Sequence, residues 1–252
     1  MSEENYKQID DYFENLKNNP ADIYTLYNEN FVDWSGPRNK VDQPYTDYIA
    51  EKLIKTGNLF SEISLKSDRG NYLTPDHDGT IDKFTNRSEE IFAKMLLHHQ
   101  IAHLGRIIDY QVPLKEVRAD NFGKIDLVSF NADSNTSYLI ELKVASDETI
   151  LRAALEVETY SQLIGNDTFQ EYVKKKAKKY FEKDKYDQIN FDRTKIKKAI
   201  VFVIEDILDS PNEISKRDRN THPHLKKLLT DYRIEPYLLE RQYPTRSMLG
   251  LF

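Results

Sequence analysis

Three ionisable residues stand where buried strands should hold none. The run YLIELKV, residues 138–144, is apolar apart from Glu141 and Lys143, and GKIDLVSF, residues 123–130, carries Asp126 as a lone acid. A charge placed in such a strand without a partner costs several kcal/mol, so something must compensate each of them. Side chains two apart on a strand project from the same face, so Glu141 and Lys143 can meet one partner. The polar stretch NADSNTS, residues 131–137, reads as a turn, and folding the two runs into a hairpin brings Asp126 beside Glu141. Two carboxylates held close repel each other unless a cation neutralises them. A hard divalent ion such as Mg²⁺ takes oxygen ligands and keeps waters for a phosphate substrate. A lysine on the same face can position or deprotonate an attacking water, or stabilise the charge of a phosphoryl transition state. The chemistry expected of Asp126, Glu141 and Lys143 is metal-assisted phosphodiester cleavage, with Asp126 and Glu141 as metal ligands.

Gly123-Lys124-Ile125-Asp126, a turn, and then Ile140-Glu141-Leu142-Lys143 together resemble the PD-(D/E)XK nuclease superfamily, which includes many restriction endonucleases, Holliday junction resolvases and RecB-type nuclease domains. Ile125 stands where the family name has proline. The resemblance covers about residues 88–205 of 252. It implies a restriction-endonuclease-like fold, Mg²⁺ as cofactor with Mn²⁺ as a substitute, a metal ligand from the carbonyl of Leu142, and a nucleic-acid substrate, DNA first and RNA second. It also implies an acidic residue on the helix before the first core strand. Glu89 matches that position, because Glu89, Phe92, Met95 and Leu96 reproduce an E-x-x-Φ-x-x-Φ-Φ spacing, and Glu90 is the alternate. The competing view is that both acids favour the positive N-terminus of that helix. Many members carry a polar residue on the helix after the lysine, and Tyr160 and Gln162 are the candidates here.

That helix, ETILRAALEVETYSQLIG, also sets Arg152, Glu156 and Tyr160 at i, i+4 and i+8 on one face. The planar donor fork of Arg152 suits a phosphate, so Arg152 joins Tyr160 and Gln162 as a candidate substrate ligand. Glu156 reads instead as a surface acid beside an apolar stripe of Leu151, Leu155 and Leu163. His99 and His103 have the i, i+4 spacing of two metal ligands on a helix, but the HExxH pattern is missing.

The elements that must position these residues follow from periodicity. Residues 3–18 form an amphipathic stripe of Tyr6, Ile9, Tyr12, Phe13 and Leu16, a second helix follows from Asp22, and residues 45–56 regain a helical pattern closed by Gly57. Residues 1–63 are therefore expected to be an N-terminal helical extension. Residues 64–85 are polar and are expected to be a connecting loop, and residues 86–252 to be the nuclease-like core. Within the core the expected order is a helix from Ser88 to Gly105, strands at 107–114, 124–130 and 138–144, helices at 147–164 and 167–183, a strand at 199–204, a helix at 222–232 and a strand at 234–239. That order suggests an α/β fold with a mixed central sheet flanked by helices.

The 36 basic and 42 acidic residues leave a formal charge of -6, so any nucleic-acid contact must use local patches such as the basic run at 174–179. There is no cysteine, which excludes disulfides and thiolate zinc sites and fits a reducing compartment; the cytoplasm is the expected location. No stretch approaches the roughly 18 consecutive apolar residues of a membrane span, so no membrane partner is expected. The helical extension is a candidate for substrate selection or for pairing two copies as a homodimer. The alternative to a nuclease is a noncatalytic module that keeps the fold and binds nucleic acid or protein. A third view makes Glu141 and Lys143 a structural ion pair, which leaves Asp126 unexplained.

Overall fold

The computed structural model describes residues 2–34, 43–63, 77, 88–97, 99–114, 123–144, 149–164, 167–204 and 222–240. Among them is a six-stranded mixed sheet flanked by helices, an α/β architecture of the kind the element order suggested. The strands lie in sequence order: β1 (Gln100–Ile101), β2 (Gly105–Pro113), β3 (Lys124–Asn131), β4 (Thr136–Val144), β5 (Lys197–Ile204) and β6 (Ile234–Glu240). The first four pair antiparallel, while β4, β5 and β6 run parallel. Parallel neighbours need crossover connections, and the chain between β4 and β5 supplies α4 (Ile150–Leu163), α5 (Asp167–Ala177) and the short α6 (Lys183–Tyr186). Before the sheet come α1 (Ser2–Asn18), α2 (Tyr45–Thr56) and α3 (Ser88–Leu96); α7 (Pro223–Asp231) precedes β6.

The main departure from expectation is at α3, which ends at Leu96 rather than running to Gly105. The apolar residues Ile101 and Leu104 that seemed to extend the helical stripe serve a hairpin instead: Ile101 pairs with Gly105, and Leu104 is buried beneath it. Gly105 cannot be helical here because its φ is +80°, and a Cβ on it would overlap the carbonyl oxygen of Phe130. The helical spacing of His99 and His103 disappears with the last turns of the helix. His98 and the 64–85 connection, apart from His77, lie outside the described residues.

The two faces of the sheet have different covers. On one face Phe92, Ala93 and Leu97 of the α3 region pack against Leu127, Ile140 and Leu142. On the other, Val128 and Leu139 share one cluster with Leu151 and Leu155 of α4 and with Ile9, Phe13, Ile49 and Leu53 of the first two helices. The N-terminal helices are thus built into the sheet's own core. Asp47 of α2 fastens them to the C-terminal region: it is 1% exposed, and its Oδ1 accepts from the backbone N–H groups of His224 and Leu225 at 2.7 and 3.0 Å. It caps the first turn of α7 from another helix, satisfying N–H groups that have no partner within α7.

Candidate active site

Antiparallel pairing of β3 and β4 matches Val128 with Leu139 and Leu127 with Ile140, and one further step in that register would set Asp126 opposite Glu141. The ladder stops before that step. Beyond it the backbone N–H of Leu142 donates to Oδ2 of Asp126 at 2.9 Å, so a side chain fills the place of a ladder acceptor where the strands part. Alternation along the strands then puts Asp126, Glu141 and Lys143 on the face of Val128 and Leu139, under α4. All three are nearly sealed from solvent, at 7%, 5% and 4% exposure. The structure therefore brings together the three residues that the strand pattern singled out.

Their compensation is visible. Lys143 Nζ lies 2.9 Å from Glu141 Oε1 and 2.9 Å from Glu156 Oε2, bridging β4 to α4. Glu156, read from sequence as a surface acid, is part of the cluster. Burial raises the Asp126 carboxyl to about 6, against the opposing pull of the Leu142 N–H and of Lys143. Glu141 is raised well above the ordinary carboxylate range, first by burial and then by the charges of Asp126 and Glu156. The site thus holds more negative charge than Lys143 relieves.

Tyr160, one turn after Glu156, enters the same cluster. Its phenol is pushed well up by burial and by Glu141 and Glu156, and a Cβ at position 123 would overlap its hydroxyl, so Gly123 is the residue that lets the phenol in. Sequence reasoning missed two neighbours. Gln111, opposite Asp126 on the β2 side, donates from Nε2 to Asp126 Oδ1. Tyr27, from the helical extension, packs edge to face on Tyr160 with ring centroids 5.9 Å apart, and its phenol is raised first by burial, with Glu156 and Glu141 adding to the shift. No local pattern marks either one, because each reaches the site through a pairing between distant segments.

The remaining candidates sit elsewhere. Arg152 does not present its fork to a substrate: Nε meets Asp33 Oδ2 at 2.5 Å, Nη1 donates to the carbonyl of Tyr27, and Nη2 to that of Glu29 at 3.3 Å. With each nitrogen engaged, Arg152 docks the helical extension onto α4, beside the Thr149 hydroxyl that caps the same helix and donates to the carbonyl of Val32. Arg152→Ala is expected to lower unfolding stability by about 1–3 kcal/mol, because it removes the donors to Asp33 Oδ2 and to the Tyr27 carbonyl, and urea titration checks this. A phosphate-binding arginine would instead leave stability unchanged and weaken substrate binding. Gln162 turns to Glu158 Oε1 at 2.9 Å, in a separate buried pair of Glu158 with Lys198. Glu89 stands in the first turn of α3, whose apolar residues pack on the opposite face of the sheet from Asp126 and Glu141.

The donor set can be weighed against a divalent ion. Among the described residues no group of three or more His, Cys, Asp or Glu is arranged to hold one. Mg²⁺, however, is commonly held by one or two carboxylates together with waters and substrate phosphates, rather than by an all-protein cage. Asp126 and Glu141 could supply those carboxylates; burial is the first cause that raises both, and for Glu141 the charge of Asp126 adds to it. Leu142 adds its backbone at the same place, since the N–H and C=O of one strand residue point to the same side and its N–H already meets Asp126. No helix among the described residues is long and apolar enough to cross a membrane. Compared with family models, curated proteins and solved structures, the chain matches none.

Proposed function

We propose that this protein is a metal-dependent phosphodiesterase of the PD-(D/E)XK type, a nuclease acting on DNA, with RNA the second choice. The observation that carries this reading is the meeting of two buried carboxylates, Asp126 and Glu141, with Lys143 on one sheet face. Asp126, Glu141 and the Leu142 carbonyl would hold Mg²⁺ or Mn²⁺. When bound, such an ion polarises phosphoryl oxygens and lowers the pKa of a coordinated water. Lys143, hydrogen-bonded to Glu141 and Glu156, would donate to the attacking water or to the charge building on the phosphoryl group. The water oxygen bonds to phosphorus, one P–O ester bond breaks, and the leaving oxygen takes up a proton. Tyr160 and Tyr27 would limit bulk water around the carboxylates.

The test is cleavage of double-stranded DNA, single-stranded DNA and RNA by the purified full chain with Mg²⁺ or Mn²⁺. Wild type should cleave at least one of them, while Asp126→Ala and Lys143→Ala, shown folded by circular dichroism, should not. Wild type that cuts none of the three and binds neither ion by calorimetry would sink the proposal. The burial of Lys143 between Glu141 and Glu156 favours a second reading, in which the cluster is structural and the fold serves as a noncatalytic binding module. Equal nucleic-acid binding by wild type and Asp126→Ala, with no divalent-ion binding, would favour it.

A further inference from the structure

Four non-glycine residues among those described have positive φ: His103, Gln111, Asn135 and Arg233. Three of them lie in turns, where the left-handed region is a normal way to reverse the chain. Gln111 does not. It lies inside β2, at φ +46°, between Tyr110 and Val112, which pair in ordinary register with Leu127 and Ile125. A long side chain held left-handed in a strand is strained, and such strain persists only where the surrounding structure imposes it.

What the strained backbone achieves is local. The register that matches Tyr110 with Leu127 and Val112 with Ile125 places Gln111 opposite Asp126, and the Gln111 amide donates to Asp126 Oδ1. The Leu142 N–H holds Oδ2 of the same carboxylate. Asp126 is thereby gripped on both oxygens, by donors from the strands on either side of it. Each carboxylate oxygen has a second lone pair, so this grip orients the group without exhausting its capacity to accept. A carboxylate fixed in this way needs no reordering when it takes a cation, and hydrogen-bond partners of ligands commonly alter metal affinity by about 10–100-fold.

We infer that Gln111 is a positioning residue for the cation site, held in a strained left-handed conformation so that its amide fixes the carboxylate of Asp126. This rests on the reading of Asp126 and Glu141 as metal ligands. It adds a contribution from β2, and a residue whose cost to stability is exchanged for the orientation of another.

The experiment compares Gln111→Gly and Gln111→Ala with wild type, using full-length protein, thermal unfolding without metal, and Mn²⁺ titration by calorimetry. Both variants lose the amide, but only glycine accepts positive φ without strain. The Gln111→Gly protein should therefore melt above the Gln111→Ala protein by roughly 2–4 °C, reversing the usual order of these two residue types in a strand. Both should bind Mn²⁺ at least about tenfold more weakly than wild type while remaining folded. An alanine variant as stable as the glycine one, or Mn²⁺ affinity unchanged in both, overturns the inference while wild-type binding stands. Wild type showing no Mn²⁺ binding that Asp126→Ala removes overturns the cation reading, and this inference with it.

Discussion

Asp126→Asn is expected to make the metal-free protein more stable at pH 8 and to reduce Mg²⁺-dependent cleavage roughly a thousandfold. The second effect is what the proposed function predicts, since a charged metal ligand would contribute several kcal/mol of transition-state stabilisation. The first follows from proton linkage. Burial raises the Asp126 carboxyl to about 6 from its ordinary 3.8, so between those values the folded chain keeps a proton that the unfolded chain has released. The stability belonging to that proton is complete below the unfolded pKa and is lost as pH rises through the folded one. A rise of roughly 2 in pKa, at about 1.4 kcal/mol for each tenfold change in proton affinity, sets the loss at about 3 kcal/mol. Asparagine carries no charge at any pH and escapes it. The Gln111 amide can turn its oxygen towards the new Nδ2, so the hydrogen bond to position 126 need not be lost. With part of the gain offset by imperfect packing, the melting temperature should rise by roughly 5 °C at pH 8, and the two proteins should converge towards pH 4. Calorimetric scans across that range decide the matter: a variant less stable than wild type at pH 8, or a difference that ignores pH, would contradict the electrostatic account.

Lys143→Met is expected to act in the opposite direction on stability while also removing activity. Methionine matches the length of the lysine stem but leaves Glu141 and Glu156 facing each other with their shared cation gone. Removing one partner from a buried ion pair typically costs about 3–5 kcal/mol, and the same range is expected here at neutral pH. The loss should shrink in acid, where Glu141, its carboxyl raised by burial, takes up a proton, and much of it should be recovered in Lys143→Met with Glu156→Gln, which removes the second acid. Urea unfolding of the single and double variants at pH 8 and pH 5 measures this. A single variant as stable as wild type at pH 8 would mean that the lysine does not neutralise its neighbours. Together these variants separate two roles: Asp126 weakens the fold and Lys143 supports it, yet both are needed for the proposed chemistry.

Much of this was present in the linear pattern. The apolar runs that became β3, β4 and β5, the amphipathic α1 and α2, and the helix that became α4 are each within a few residues of their expected positions. They were legible because period-two and period-3.6 spacing record which side of an element faces the core. The failure at α3 has the same origin. Ile101 and Leu104 are both drawn inward by their apolar character, Leu104 completely, but that tendency alone does not distinguish a last helical turn from a hairpin, and the close approach of Gly105 to Phe130 selects the hairpin.

For the site, the sequence by itself determined that Asp126, Glu141 and Lys143 would be buried and that the last two would share a face, because strand alternation and the cost of burying charge act within a few residues. Only the tertiary structure decided what surrounds them. Arg152 had the chemistry of a phosphate ligand and was claimed by Asp33 and two carbonyls of the extension, while Glu156 looked like a surface acid and was claimed by Lys143. Gln111 and Tyr27 are unremarkable in their own segments and reach the cluster through strand register and helix docking. The physical reason is one of range: periodicity carries the direction of each side chain, whereas the partner of a polar group is set by contacts between segments far apart in the chain.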